Sequence, residues 1–462
     1  MTVKEIIDSK DWTLLHAKMN DGKKETDQNK AEYENSREIR DNQVGNRPDK
    51  STTSGTVTVN KIAIPFQRKI VQTAASFLFG EPVALSLDNE STAQDTYAMF
   101  LNYWKTLRLD TALLVACEKS KSETQSAILL RLVSDGVVSE GETQDIQIKA
   151  STLSSKDGKL LPVFDEFGSM AAFGYEFESK DSEGEKVQNL YIYLQENLIR
   201  LVIDGDEYTE AEGSGDPHFF KRIPVVYFSQ SVPDWEYVKD LIDRYETMVS
   251  KFADTNDYFA SPFFKATGDV DFKLERDNTG QIYKMDVLET DHGNLIKSDM
   301  EVISWEQSTE AVKLEFETIR GLIYDLTDTP DLAFDNVKGL GNISGVALKL
   351  MFLSPIIKSK FSEAIYKTGV ERLINILRAG MVHGTKEAQE SFFEEIIDVE
   401  FQSILPENIQ ETIAMLSMAT MDKPVMSQET ALKINPLVDD VKAEQEQLKK
   451  ESLDELGDSA TL

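Results

Sequence analysis

Two stretches of this chain read as long amphipathic helices with a short β-rich stretch between them, and that order restricts the fold more than any single motif. In 233–260, Trp235, Val238, Ile242, Tyr245, Val249 and Phe252 recur at helical spacing, with charged residues on the other faces. In 305–327, Val312, Phe316, Ile319, Ile323 and Leu326 do the same. The intervening 261–304 carries strand-like runs and a hairpin turn at Arg276–Gly280. Such a helical hairpin stands out from a globular body, and its apolar stripes need something to pack against. Neighbouring copies in a ring are the economical partner.

The flanking segments supply that body. Residues 1–55 mix helix formers with charge and show weak apolar periodicity, which predicts exposed N-terminal helices or an arm, ending in a loop rich in Gly, Pro, Ser and Thr. Ile62, Phe66, Ile70, Ala74 and Phe77 then sit at helical spacing until Gly80 and Pro82 stop the helix, and a helical pair follows over 93–119. From Ser126 to about Ser229, β-branched and aromatic runs such as "SAILLRLV", "AAFGYEFES" and "NLYIYLQE" alternate with turns, predicting an antiparallel β region. Beyond Gly345 the pattern predicts one very long helix bent at Pro355. Three more helices, separated by Pro424 and Pro436, lead to an acidic end. The whole is an α+β chain of 462 residues, long enough for about three domains.

Chemistry is harder to find. The glycines of "NVKGLGNISGVALK", Asn336–Lys349, nearly match a dinucleotide loop, but Ser344 stands where the third glycine belongs and Gly345 comes one residue late. No Gly-Lys-Ser/Thr closes it as a phosphate loop requires, and "TDTPDLAFD" upstream is not a strand. The stretch reads as a glycine-hinged loop leading into a helix with Asn342 or Ser344 as its cap. Cys117 is the only cysteine, so neither an intrachain disulfide nor an all-cysteine metal site can form. His16, His218, His292 and His383 are scattered, without metal-ligand spacing, and read as solvated groups. No hydrolase, kinase, zincin or calcium-loop pattern is present, so neither an enzymatic activity nor a cofactor is expected. Methionines such as those of Met415–Met421 read as packing filler. No signal segment or membrane-length apolar run is visible, which predicts a soluble protein. A formal charge of −32 disfavours tight duplex binding, yet it suits a surface past which DNA slides without sticking.

The joint order of these elements resembles the portal proteins of tailed bacteriophages, of the Bacillus siphophage type. "VNKIAIPFQRKIVQTAASFLFGEPV" is similar to the helix leading into that family's wing. The order body, helix, β module, helix resembles wing, stem, clip and stem. "TPDLAFDNVKGLGNISGVALKLMF" resembles its tunnel loop and the long helix after it, and "LPENIQETIAMLSMATMDKPVMSQETALKINPLVDDVKAEQEQLKKE" its C-terminal segment, with a Ser-x-Glu-Thr helix start. The resemblance runs from about residue 40 to near the end. Around Cys117–Glu123, "CEKSKSE" replaces a small glycine-containing turn common in relatives, and the tail beyond Asp454 has no counterpart.

The resemblance implies a portal fold: N-terminal arm 1–55, α/β wing 56–232, stem helices 233–260 and 305–327, clip 261–304, tunnel loop 328–345, long helix and wing/crown junction 346–400, and helical crown with acidic tail 401–462. It implies a ring of twelve subunits at one capsid vertex of the virion, assembled in the host cytoplasm with major capsid and scaffolding proteins, through which double-stranded DNA is packaged and ejected. Asn336, Lys338, Gly339, Gly341, Asn342 and Gly345 would line the channel, Lys338 forming a weak belt of positive charge. Lys265, Lys273, Arg276, Asp277 and Tyr283 of the clip would meet the terminase large subunit and later the head-completion adaptor. Trp235, Ile242, Phe252, Phe316 and Ile323 would pack stem against stem. The alternative is an acidic cytosolic ring-forming scaffold without DNA traffic.

Overall fold

The computed structural model describes residues 3–20, 26–43, 45–52, 55–88, 91–134, 146–180, 184–259, 263–267, 288–289, 295–296, 299–303, 309–331, 350–402, 404, 409–421, 424–435, 437–438 and 441–459. The fold is α+β. Helices α1 (Val3–Asp8), α2 (Trp12–Asn20) and α3 (Asp27–Tyr33) precede a small hairpin of β1 (Lys50–Thr52) and β2 (Gly55–Val57). Next come α4 (Phe66–Phe79), β3 (Ala84–Leu87), α5 (Gln94–Thr106) and α6 (Leu109–Glu123). The β region follows as β4 (Gln125–Ser134), β5 (Ile146–Leu153), β6 (Lys159–Phe164), β7 (Met170–Lys180), β8 (Lys186–Tyr193), β9 (Asn197–Asp204), β10 (Glu207–Glu210), β11 (Asp216–Pro217) and β12 (Val225–Ser229).

Those strands form two antiparallel sheets, one ordered β12-β4-β5 and one ordered β10-β9-β8-β7-β6 with β11 also on β9. Period-two alternation makes them the middle of a four-layer body. In β4, Ala127 and Leu129 face the larger sheet, where Leu160, Phe173 and Tyr193 meet them. Ile128 and Leu130 face the other way, into a helical core built from α4, α5 and α6 with residues such as Leu78, Phe100 and Leu113. A strand buried on both faces reads as a continuous apolar run, which is why "AILL" does not alternate. The outer face of the larger sheet, with Leu161, Leu190 and Leu201, is covered by Ile6, Leu15 and Met19 of α1 and α2. The expected exposure of the N-terminal helices is therefore corrected. Three apolar residues over two short helices are enough to close the sheet, although they are too few to register as a periodic stripe.

The hairpin consists of α7 (Lys239–Phe259) and α8 (Thr309–Leu326), which pack on each other. Between them β13 (Phe263–Thr267) pairs antiparallel with β16 (Asp299–Ile303), and β14 (Leu288–Glu289) with β15 (Leu295–Ile296). The expected turn at Arg276–Gly280 lies outside the described residues.

After the hairpin, α9 (Leu353–Ala379) crosses the helical core, burying Val370, Leu373 and Leu377, and passes into a π-helical turn at Gly380–Thr385. Pro355 does not bend the middle of this helix. It occupies the first turn, where a missing N–H costs no intrahelical bond, and the helical path breaks just before it at Phe352. Beyond it β17 (Ile397–Glu400) pairs with β3, and α10 (Ile409–Thr420), α11 (Gln428–Ile434) and α12 (Val441–Ser459) complete the chain. Ser427 caps α11 by accepting the Thr430 N–H at 3.2 Å, as the Ser-x-Glu-Thr pattern requires. No helix among the described residues is long and apolar enough to cross a membrane.

Candidate functional site at the base of the helical hairpin

The hairpin is rooted in the body by an apolar cluster. Ile242 of α7 and Ile323 of α8 are fully buried with Phe66 and Ile70 of α4, and Phe66, Tyr245 and Phe316 make successive edge-on ring contacts at 5.3 and 5.5 Å. Trp235 lies ahead of α7, buried, stacked on Tyr33 and donating its indole N–H to Glu32 at 3.0 Å. Trp235, Ile242 and Ile323 are therefore covered by their own chain and cannot serve as contacts between stems. Helical spacing identifies an apolar face without saying which molecule covers it. Phe316 is half-buried, and Phe252, 6.1 Å from it, keeps an open edge.

Around this cluster the anchoring is ionic. The buried Arg37 guanidinium meets Glu32 at 3.0 Å, Glu246 at 3.3 Å, and Asp243, while Lys239 reaches Glu32 at 2.6 Å. One guanidinium cannot hold every facing carboxylate in its ordinary range. Burial pushes Asp243 and Glu246 up despite the pull of Arg37.

A second device was not legible in sequence. The N–H groups of Asn60, Ile62 and Ile64 donate to Asp254, Ser250 and Glu246 at 2.7, 2.9 and 2.9 Å. Two residues of extended chain advance about 6.6–6.8 Å, and four residues of helix about 6.0 Å. Every second amide of the segment before α4 thus finds a side chain one turn away along α7, and the segment is strapped to that helix. The available signal was the polar series Glu246, Ser250, Asp254 at four-residue spacing, which looks like an ordinary solvated face.

Toward the end of α8, Nη2 of Arg320 donates to both carboxylate oxygens of Asp331, at 2.8 and 2.7 Å. Lys358 of α9 donates to the Thr327 carbonyl at 2.9 Å and pairs with Asp234 at 3.2 Å, which Lys121 also approaches at 3.4 Å. The segment between α8 and α9 therefore starts and ends at tied points. The loop candidates Asn336, Lys338, Gly339, Gly341, Asn342 and Gly345 lie outside the described residues, as do Lys273, Arg276, Asp277 and Tyr283. Lys265 sits in β13 opposite Glu301.

Two apolar helix faces are left open. Leu353, Ile357, Phe361 and Ile365 line α9 at four-residue spacing, with Phe361 77% and Ile365 66% exposed. On α8, Leu314 and Leu322 are exposed away from the buried Ile319 and Ile323. Elsewhere, burial pushes the Cys117 thiol up to about 12, which leaves it protonated and inert. Nor are the histidines simply solvated. His16 lies between Tyr208 at 2.7 Å and Glu176 at 3.1 Å, His218 bonds the Leu194 carbonyl at 2.9 Å, and His383 stacks on Phe393; His292 lies outside the described residues.

Residues 14–457 match the family model described as phage portal protein, SPP1 Gp6-like. The chain is also similar to the portal protein of Clostridium phage phiCD119, 23% identical over 403 residues that cover 83% of this chain and 82% of that one.

Proposed function

The chain belongs to the SPP1 Gp6-like phage portal proteins, and from that membership we propose that its copies build the ring-shaped channel through which double-stranded DNA enters and leaves the capsid. The family is structural and implies an oligomeric ring associated with the capsid. The finer assignment is ours. Twelve copies surround the channel at one vertex, acting as head–tail connector, with the α7–α8 hairpin as stem wall and the module between these helices as clip. The clip, through Lys265, Lys273, Arg276, Asp277 and Tyr283, docks the terminase large subunit and later the adaptor. Asn336, Lys338, Gly339, Gly341, Asn342 and Gly345 line the channel, and Lys338 supplies one cation per subunit inside an acidic tube, enough to guide a duplex and too little to hold it.

The observation that carries this reading is the pair of open apolar faces on α8 and α9 beside a hairpin whose base is fixed by Arg37 and the strap. A closed ring needs a head-to-tail interface with two different complementary faces on each copy. A portal also needs a stem that bears load while the loop between α8 and α9 changes shape. Negative-stain electron microscopy with mass measurement on the same sample tests the proposal. Rings with a central hole of roughly 20 Å or more, wide enough for a duplex, are expected; a compact monomer at all concentrations overturns autonomous ring formation. Lys338→Ala should leave the ring intact and impair packaging. Unimpaired packaging would remove the lysine belt and favour a scaffold role.

A further inference from the structure

The chain carries 49 lysines and arginines against 81 aspartates and glutamates, so a group of cations gathered without a facing carboxylate stands out. A cavity of about 500 Å³ opens where the β8–β9 turn, the loop before β12 and the face of α9 meet, and Lys221, Arg222 and Arg372 line it together with Gln195 and Asn375. Among the described residues none of these three cations has a carboxylate partner. Arg372 spends its donors on the Val225 and Ile223 carbonyls at 2.8 and 3.4 Å, Arg222 lies 5.1 Å from the Phe393 ring centre, and Lys221 is exposed. Glu371, at the rim, is the one carboxylate among the lining residues. Behind them the buried Arg378 bonds the Glu395 carbonyl at 2.8 Å and leaves its Nε without a partner.

The backbone that presents these groups is held in an unusual form. Phe219 and Lys221 both have left-handed φ, 62° and 52°, which non-glycine residues seldom adopt and which clusters at functional sites. His218 keeps the loop in place: its Nε2 donates to the Leu194 carbonyl and its Nδ1 accepts the Phe220 N–H at 3.3 Å. On the other side, α9 gives way to the π-helical turn at Gly380–Thr385, a departure frequent near functional sites. Burial first, and then the neighbouring Arg222, pulls Arg372 down from the ordinary guanidinium range.

We propose that this cavity is an oxyanion site that takes a phosphate group, either as the free ion or on a nucleic-acid backbone. The Arg222 guanidinium fork and the Lys221 ammonium match tetrahedral oxygens, Arg372 adds positive charge beside them, and the amides of Gln195 and Asn375 offer neutral donors. Glu371 lowers the affinity and keeps exchange fast. Because the site is contained in one chain, it stands or falls independently of ring formation.

Calorimetric titration of inorganic phosphate into the full-length protein, against chloride at matched ionic strength, is the test. One saturable site per chain is expected. It should be weakened at least ten-fold in Lys221→Gln/Arg222→Gln, whose side chains make no hydrogen bond among the described residues, and tightened several-fold in the exposed Glu371→Gln. A general salting effect would act equally on all three proteins. A second arm measures anisotropy of a short labelled duplex: binding that is lost in the double variant and competed by phosphate assigns the backbone as the source, and phosphate binding without duplex binding assigns the free ion. Absence of saturable phosphate binding, or equal binding by the double variant, overturns the proposal.

Discussion

At the residue scale, two buried acid clusters should respond to pH in opposite directions. Glu176 accepts from His16 at 3.1 Å, Lys159 at 2.5 Å and Gln188 at 2.6 Å. Burial pushes its carboxyl up, but the His16 and Lys159 hydrogen bonds outweigh burial and hold it at about 2, below its ordinary 4.5. A depressed carboxylate stabilises the fold above its unfolded value and loses that contribution as pH falls toward 2. Glu176→Gln should therefore cost about 3 kcal/mol at neutral pH, and the gap from the parent protein should close between pH 4.5 and 2 in urea titrations. At the hairpin base the sign reverses. Asp243 and Glu246 are raised by burial, so their contribution is fullest in acid and declines as pH rises through their shifted values. Arg37→Met leaves Asp243 and Glu246 facing no guanidinium, and should lower stability by about 3–5 kcal/mol. Mild acid should relieve that deficit; if acid deepened it, Arg37 would not be the group that neutralises them.

At the element scale, α9 depends on a close approach to β12. A Cβ on Gly369 would strike the Phe228 ring directly, and one on Gly380 would come within 2.9 Å of Phe220 and 3.0 Å of Ile148. Gly369→Ala is expected to destabilise by about 1–3 kcal/mol through overpacking, seen as a lower midpoint in thermal melts with unchanged helix content. A neutral result would mean that Phe228 has room to turn aside. The same elements mark what could be read in advance. α7 and α8 announced themselves by period, because each buries one face against something broad, and most strands by β-branched and aromatic runs set between turns. β6 did not, since Pro162 argues against a strand; it is tolerated because β6 is the edge of its sheet, pairing within it with β7 alone. The strap of 60–64 on α7 was invisible for a different reason. Its bonds join backbone amides to polar side chains almost two hundred residues away, and neither partner departs from the pattern of a solvated surface. Lys221, Arg222 and Arg372 were equally silent, because only the tertiary fold brings the loop before β12 to the face of α9.

At the scale of the whole molecule, the open faces of α8 and α9 make a prediction that separates a ring from any other assembly. A head-to-tail ring uses one face of each kind per copy, so damage to either face on every copy should stop closure. Phe361→Asp on α9 and Leu314→Asp on α8 replace side chains that are 77% and 65% exposed in the single chain, so the fold of each variant should survive. Each alone should run as a 52.0 kDa species in native mass spectrometry. The mixture should do something neither does: the intact α8 face of one variant meets the intact α9 face of the other, giving a dimer of twice that mass and nothing larger, because the remaining faces are both spoiled. Two-fold symmetric pairing of like faces would instead let α8-damaged copies dimerise through their α9 stripes without any mixing. Rings from either variant alone would show that these stripes are covered by something other than the neighbouring subunit.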